Sequence, residues 1–184
     1  MRRPDEKLLA AAREGDEAAF HELIDRHAEG LFRLAFRLVG DTMDAEDVVQ
    51  EALMGAFEHL GRFEGRSTIK TWLTRILLRQ AARCHRRRAR HRAVSFEQAS
   101  ATAGDGLGVP AGESPSDDAN RRLDVHRALQ RISPDHREAV VLREFEGMSY
   151  AEMAEVLGVP QGTVESRLHR ARQALRELLQ GYLP

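Results

Sequence analysis

In Ser149-Tyr150-Ala151-Glu152-Met153-Ala154-Glu155-Val156-Leu157-Gly158-Val159-Pro160-Gln161-Gly162-Thr163-Val164, two short helices and the turn between them are written in sequence. Ser149 and Glu152 have the spacing of a capping box, so a first helix starts there. Gly158 permits the positive φ of a tight turn, and Pro160 suits the first turn of a second helix. Ala154, Leu157, Val164 and Leu168 fall where the two helices of a helix-turn-helix cross. Along the second helix Val164, Leu168, Ala171 and Leu175 form one stripe, and Gly162, Ser166, His169, Arg170 and Gln173 lie opposite. Arg170 is placed to bond guanine bidentately in the major groove, with Glu165, Ser166 and His169 for neighbouring bases. Arg143, Arg167 and Arg172 are placed to meet phosphate, and Thr163 belongs to the same surface. An ordinary helical hairpin with a solvated polar face is the competing reading. The glycine, the proline and the cap together favour a DNA reader.

Outward from this motif the chain divides by charge. Its 184 residues carry a formal net charge of only -1, yet the charges are segregated. Positions 1–61 hold 7 basic and 14 acidic residues, 62–92 hold 11 and 1, 93–120 hold 0 and 5, and 121–184 hold 10 and 9. Segregation of this kind marks distinct surfaces for distinct partners. Hydrophobic residues make up 42%, enough for one large domain or two small ones. From Leu8 to about Arg90 the apolar spacing is helical and predicts four helices, with breaks at Gly15-Asp16, Gly40-Asp41-Thr42 and Gly61 to Gly65. Ala93 to Asn120 is Ala, Gly, Ser, Pro and acid, and reads as a flexible acidic linker. Helical spacing returns from Arg121. The expected fold is all-α: an N-terminal domain 8–92, the linker 93–120, and a C-terminal helix-turn-helix domain 121–180.

Two segments of the first domain carry chemistry. Asp44-Ala45-Glu46-Asp47-Val48-Val49-Gln50-Glu51-Ala52-Leu53-Met54-Gly55-Ala56-Phe57 opens with acids that suit a helix N-terminus, then shows an apolar stripe that includes Phe57. Asp47, Gln50 and Glu51 are left on an exposed edge, and solvation alone would account for them. The next segment reverses sign. Arg62, Arg66, Lys70, Arg75, Arg79, Arg83, Arg86, Arg87, Arg88, Arg90 and Arg92 gather around Phe63, Ile69, Trp72, Leu73, Ile76 and Leu77. Cations that follow a backbone beside aromatic faces that accept unstacked bases are what melted nucleic acid needs. By its spacing from Ile69 and Ile76, Trp72 also fits a core position.

Three segments in this order, the acidic helix, Phe63-Glu64-Gly65-Arg66-Ser67-Thr68-Ile69-Lys70-Thr71-Trp72-Leu73-Thr74-Arg75-Ile76, and Gly158 to Arg172, resemble the extracytoplasmic-function (ECF) group of bacterial RNA polymerase sigma factors. The resemblance covers nearly all the chain except the linker. It implies a protein that joins core RNA polymerase and directs it to promoters. Asp44, Glu46, Asp47, Gln50 and Glu51 would dock on the clamp of the largest subunit. Phe63 to Arg88, with Phe63, Arg66, Lys70, Trp72, Arg75, Arg79, Arg83, Arg86 and Arg87 as contacts, would capture and open the minus-ten element. The helix-turn-helix would read the minus-thirty-five element and meet the polymerase flap. The linker would thread toward the RNA channel, and an anti-sigma factor would hold the free protein inactive. Arg79 and Arg83 depart from the family, which commonly has an asparagine and then an acid there, and this bears on minus-ten preference.

Other classes fit less well. The 8 histidines and 29 acids form no phosphate loop, nucleophile elbow or metal-ligand spacing, so neither catalysis nor a cofactor is expected. Cys84-His85 beside an arginine run reads as solvated surface, and a lone cysteine excludes an internal disulfide. A helix-turn-helix regulator without sigma activity would fit the second domain alone; an acidic helix followed by a basic aromatic one is not a ligand pocket or receiver domain. No apolar run approaches the roughly 18 residues of a membrane span and no signal-peptide core follows Met1, so the expected location is cytoplasmic.

Overall fold

The computed structural model describes residues 4–98 and 117–180, with side chains placed over 4–91, at 121 and over 123–180. Among these residues every regular element is a helix. The first unit contains α1 (Asp5–Arg13), α2 (Glu17–Val39), α3 (Thr42–His59), a 3-10 turn (Leu60–Arg62) and α4 (Ile69–Gln98). The second contains α5 (Asp117–Arg131), α6 (Pro134–Glu144), α7 (Tyr150–Leu157) and α8 (Gln161–Leu178). Two helical domains are therefore present. Most of the linker segment, 99–116, lies outside the described residues. Its two edges are helical, since α4 continues to Gln98 and α5 starts at Asp117.

Short polar side chains start the helices. Asp16 accepts from the Ala19 amide at 3.0 Å, Asp41 from the Asp44 amide at 3.0 Å and Ser133 from the His136 amide at 3.4 Å. At α7 the predicted box forms in full. The Glu152 amide donates to Ser149 Oγ at 3.3 Å, while Glu152 Oε2 accepts from the Ser149 amide at 2.8 Å. Ser149 Oγ also donates to Glu152 Oε2 at 2.7 Å, and the bonds from the Ser149 amide and hydroxyl hold the Glu152 carboxyl below its ordinary pKa. Ser149→Ala removes the cap acceptor and should lower the stability of the full chain by about 1 kcal/mol, read as a shift in urea midpoint. An unchanged midpoint would mean that α7 is fixed by packing alone.

Leu23, Leu34, Leu38, Leu73 and Leu77 fill the interior between α2, α3 and α4, and Leu142, Met153, Val164 and Leu168 fill that between α6, α7 and α8. The two units touch. α2 packs against α5 and α6, and α4 packs against α6 and α7. Phe36 stacks on His126 at 4.5 Å between centroids, and the Arg37 guanidinium lies 4.5 Å over the Phe145 ring.

Candidate polymerase and nucleic-acid interfaces

On α3 the buried positions are Ala45, Val48, Ala52 and Ala56, which turn the helix so that its far side faces solvent. Glu46, Asp47, Gln50 and Glu51 are exposed, as predicted. Asp44 is different. Its side chain is only 17% exposed and pairs with Arg88 and, at 3.6 Å, with Arg87, so its charge is largely answered within the chain. Three apolar residues share the outer face: Met43 is 71%, Met54 58% and Phe57 55% exposed. Phe57, read from sequence as part of the core stripe, instead touches the solvent edge of Phe20 with centroids 5.1 Å apart. Met43, Asp47, Gln50, Met54 and Phe57 recur at intervals of four and three, which places them on one side of a helix. That spacing was available in the sequence; the apolar character of Met54 and Phe57 concealed it. An exposed face mixing apolar side chains with carboxylates is the composition of a partner surface.

The basic helix α4 divides along its length. In its C-terminal half Arg79, Arg83, Arg86 and Arg90 are exposed at intervals of four, three and four. This is a cationic stripe on one face. Arg87 turns back, lying 3.8 Å from Asp47 as well as 3.6 Å from Asp44. In the N-terminal half, Lys70 pairs with Glu146 at 2.9 Å and Arg75 with Glu155 at 2.5 Å, both carboxylates belonging to the second unit. Arg66 is exposed and pairs with its neighbour Glu64 at 2.6 Å. Phe63 corrects the sequence reading. It is buried and tilted against Trp72 with centroids 5.1 Å apart, because the chain reversal after the 3-10 turn folds it onto the start of α4. Trp72 is half-buried, with one side taken by Phe63 and the apolar core.

Cys84 is also buried, contrary to expectation, since Leu73, Leu77, Ala81 and Cys84 recur on the face that α4 turns to the core. Burial, and then the Asp44 carboxylate, push its thiol pKa up. A protonated, enclosed thiol is a poor nucleophile. His85 beside it is held below the ordinary histidine range, chiefly by burial.

In the second unit Gly158 closes α7 at φ 66°, and α8 buries Val164, Leu168 and Ala171. Glu165, Ser166, His169 and Arg170 project outward, and Thr163 is half-buried. Ser166 Oγ donates to the Thr163 carbonyl at 2.9 Å. The three arginines assigned to phosphate are each engaged inside the unit. Arg143 donates to the Met148 carbonyl at 2.8 Å and lies over Tyr150, Arg167 pairs with Asp135 at 2.7 Å, and Arg172 with Glu144 at 2.7 Å. Such pairs at a surface are weak, so phosphate can replace the carboxylate at Arg167 and Arg172. No described helix is long and apolar enough to cross a membrane.

The sigma-70 region 2 family matches residues 23–91 and the sigma-70 region 4 family residues 122–175. The chain is 37% identical to the RNA polymerase sigma-H factor of Pseudomonas aeruginosa, over 97% of this chain and 95% of that protein. It is 36% identical to the ECF RNA polymerase sigma factor SigM of Mycobacterium tuberculosis, over 98% and 87% respectively. Among solved structures it is similar to the sigma factor RpoE of Bartonella quintana in complex with the anti-sigma factor NepR. There the TM-score is 0.71 and the identity 32%, over 89% of this chain and 98% of that one. The chain belongs to the extracytoplasmic-function group of RNA polymerase sigma factors, the proteins that direct transcription initiation.

Proposed function

We infer that this sigma factor grips core polymerase with the outer face of α3, captures the minus-ten element with α4 and reads the minus-thirty-five element with α8. The observation that carries the first assignment is the α3 face itself, where Asp47, Gln50 and Glu51 stand exposed beside Met54 and Phe57. The exposed arginines of α4 and the polar outer face of α8 support the other two. Residues 8–92 and 121–180 are the working domains, joined by 93–120. The protein acts without catalysis, in the cytoplasm where polymerase is, and an anti-sigma factor is its natural antagonist, as NepR is for RpoE.

Asp47→Lys with Glu51→Lys should leave helix content unchanged and lower affinity for core polymerase about tenfold, because reversed charge at a partner surface acts on association. A core titration by fluorescence anisotropy measures this. Unchanged affinity would move the grip elsewhere. For α8, Arg170→Ala should flatten the preference for one upstream sequence over its variants by about tenfold, since bidentate base contact carries discrimination. Band shifts of holoenzyme on a set of single-base promoter variants read it; a uniform loss across all variants would make Arg170 a phosphate contact.

A further inference from the structure

Sulfur is the atom that peroxides attack first in a protein, as thiolate in cysteine and as thioether in methionine. Cys84 is buried on the core face of α4, where its raised pKa keeps it a thiol, so the thiolate route is closed. Of the five methionines, Met148 and Met153 are buried in the second unit and Met1 lies outside the described residues. The other two, Met43 and Met54, are exposed, and both belong to α3.

Their register puts both sulfurs on one surface. Met43 and Met54 are eleven residues apart, about 3 turns and roughly 16 Å along the helix axis, with a rotation of only ~20° between them. Asp47 follows Met43 by one turn, Gln50 precedes Met54 by one turn, and Phe57 lies three residues beyond it. The thioethers therefore flank the carboxylate and the amide of the edge assigned to polymerase, while Ala45, Val48, Ala52 and Ala56 turn to the core. An unbranched thioether is a flexible apolar contact that adapts to the partner covering it. Its sulfoxide is polar and chiral, and a partner surface fitted to the apolar side chain must then bury an unpaired S=O dipole.

We propose that Met43 and Met54 form a reversible oxidation site, at which a hydroperoxide lowers the affinity of this sigma factor for core polymerase. The thioether sulfur attacks one peroxide oxygen. An S–O bond forms, the O–O bond breaks, and the second oxygen takes up the proton of the first and leaves as water, or as an alcohol from an organic peroxide. Sulfur loses two electrons and the peroxide gains them. Methionine sulfoxide reductases, one for each epimer, reverse the step, with a pair of thiols as reductant and a disulfide and water as products. The proposal rests on the assignment of α3 to polymerase.

The free full-length protein is treated with hydrogen peroxide, cleared of it with catalase, and titrated against untreated core polymerase by fluorescence anisotropy. Peptide mass spectrometry should find one added oxygen at Met43 and at Met54 before any at Met148 or Met153. Helix content should be unchanged, and core affinity should fall about tenfold, the order expected when one apolar side chain no longer gains from burial at an interface. The two reductases with dithiothreitol should restore binding. Met43→Leu with Met54→Leu has no thioether on this face, so treated and untreated samples of that variant should bind core equally. Oxidation of Met148 or Met153 ahead of the α3 pair, or equal affinity of oxidised and reduced parent, overturns the site. So does the same fall in the leucine variant, a loss of helix content that accompanies the fall, or failure of the reductases to restore binding. The Asp47→Lys, Glu51→Lys protein separates the two readings. Loss of affinity in that variant without loss on oxidation discards this proposal alone, whereas full affinity in both discards the α3 assignment with it.

Discussion

Arg137→Ala lowers the stability of the full chain by about 3–5 kcal/mol, the loss expected when charge-assisted hydrogen bonds are removed and several buried carbonyls are left unpaired. Arg137 is 5% exposed. Its Nε donates to Leu129 O at 2.7 Å, Nη2 to Gln130 O at 3.0 Å and Ile132 O at 3.2 Å, and Nη1 to Gln130 Oε1 at 2.6 Å and to Leu38 O. One planar fork thus closes the end of α5 and the end of α2 together. Burial pushes its pKa down to about 10, which leaves it charged at neutral pH, so these are charge-assisted bonds. Deleting it strands several carbonyls, each at about 1–3 kcal/mol where water cannot reach and at little where it can. Arg137→Lys should restore less than half, because one ammonium cannot face the ends of two helices. Urea unfolding followed by far-ultraviolet circular dichroism measures both. A loss below about 1 kcal/mol for Arg137→Ala would show the carbonyls to be satisfied by solvent.

The sequence discloses Ser149, Gly158 and the α8 stripe because each acts locally, through a cap, a left-handed residue or a helical period. Arg137 was illegible for the opposite reason. It sits in Pro134-Asp135-His136-Arg137-Glu138, a polar run of the kind that begins a solvated helix, and only the end of α2, far away in the chain, makes it interior. The pairs Lys70–Glu146 and Arg75–Glu155 are long-range in the same sense. The burial of Cys84 was legible in principle, at the fourth, fourth and third residues along from Leu73. The arginines around it outweighed that period. Phe63 and Phe57 exchanged places for a geometric reason: the 3-10 turn that ends α3 brings Phe63 inward, and the phase set by Ala45, Val48 and Ala52 carries Phe57 outward. The extension of α4 to Gln98 runs through Ala93-Val94-Ser95-Phe96-Glu97-Gln98, where strong and weak helix formers alternate and no local signal declares it.

Glu138→Gln is expected to stabilise the protein at pH 8 and to leave it unchanged near pH 4. Glu138 lies on α6 with its carboxyl pushed up to about 7, first by burial and then by Asp135, against the opposing pull of Arg167 and Arg137. The folded chain therefore keeps a proton that the unfolded chain, with the ordinary value of 4.5, releases earlier. Between those two values the folded state binds more protons, so stability falls as pH rises and the loss is complete above about 7. It amounts to about 1–3 kcal/mol for a shift of this size on a half-buried group. His85 and His126 act in the other direction. Burial lowers both, so the folded state binds fewer protons than the unfolded one as pH falls below the ordinary histidine value of 6.5, and stability is lost on that side. The parent's profile is thus a sum of opposing slopes, and only its difference from the variant isolates Glu138. That difference should be near zero at pH 4, grow through pH 5 and 6, and level off above pH 7, as read from urea midpoints across the range. Parallel profiles for parent and variant at every pH would mean that the carboxyl is hydrated and ionises at its ordinary value. A variant less stable than the parent at pH 8 would mean that the ionised carboxylate, held by Arg167, is a net stabiliser of α6.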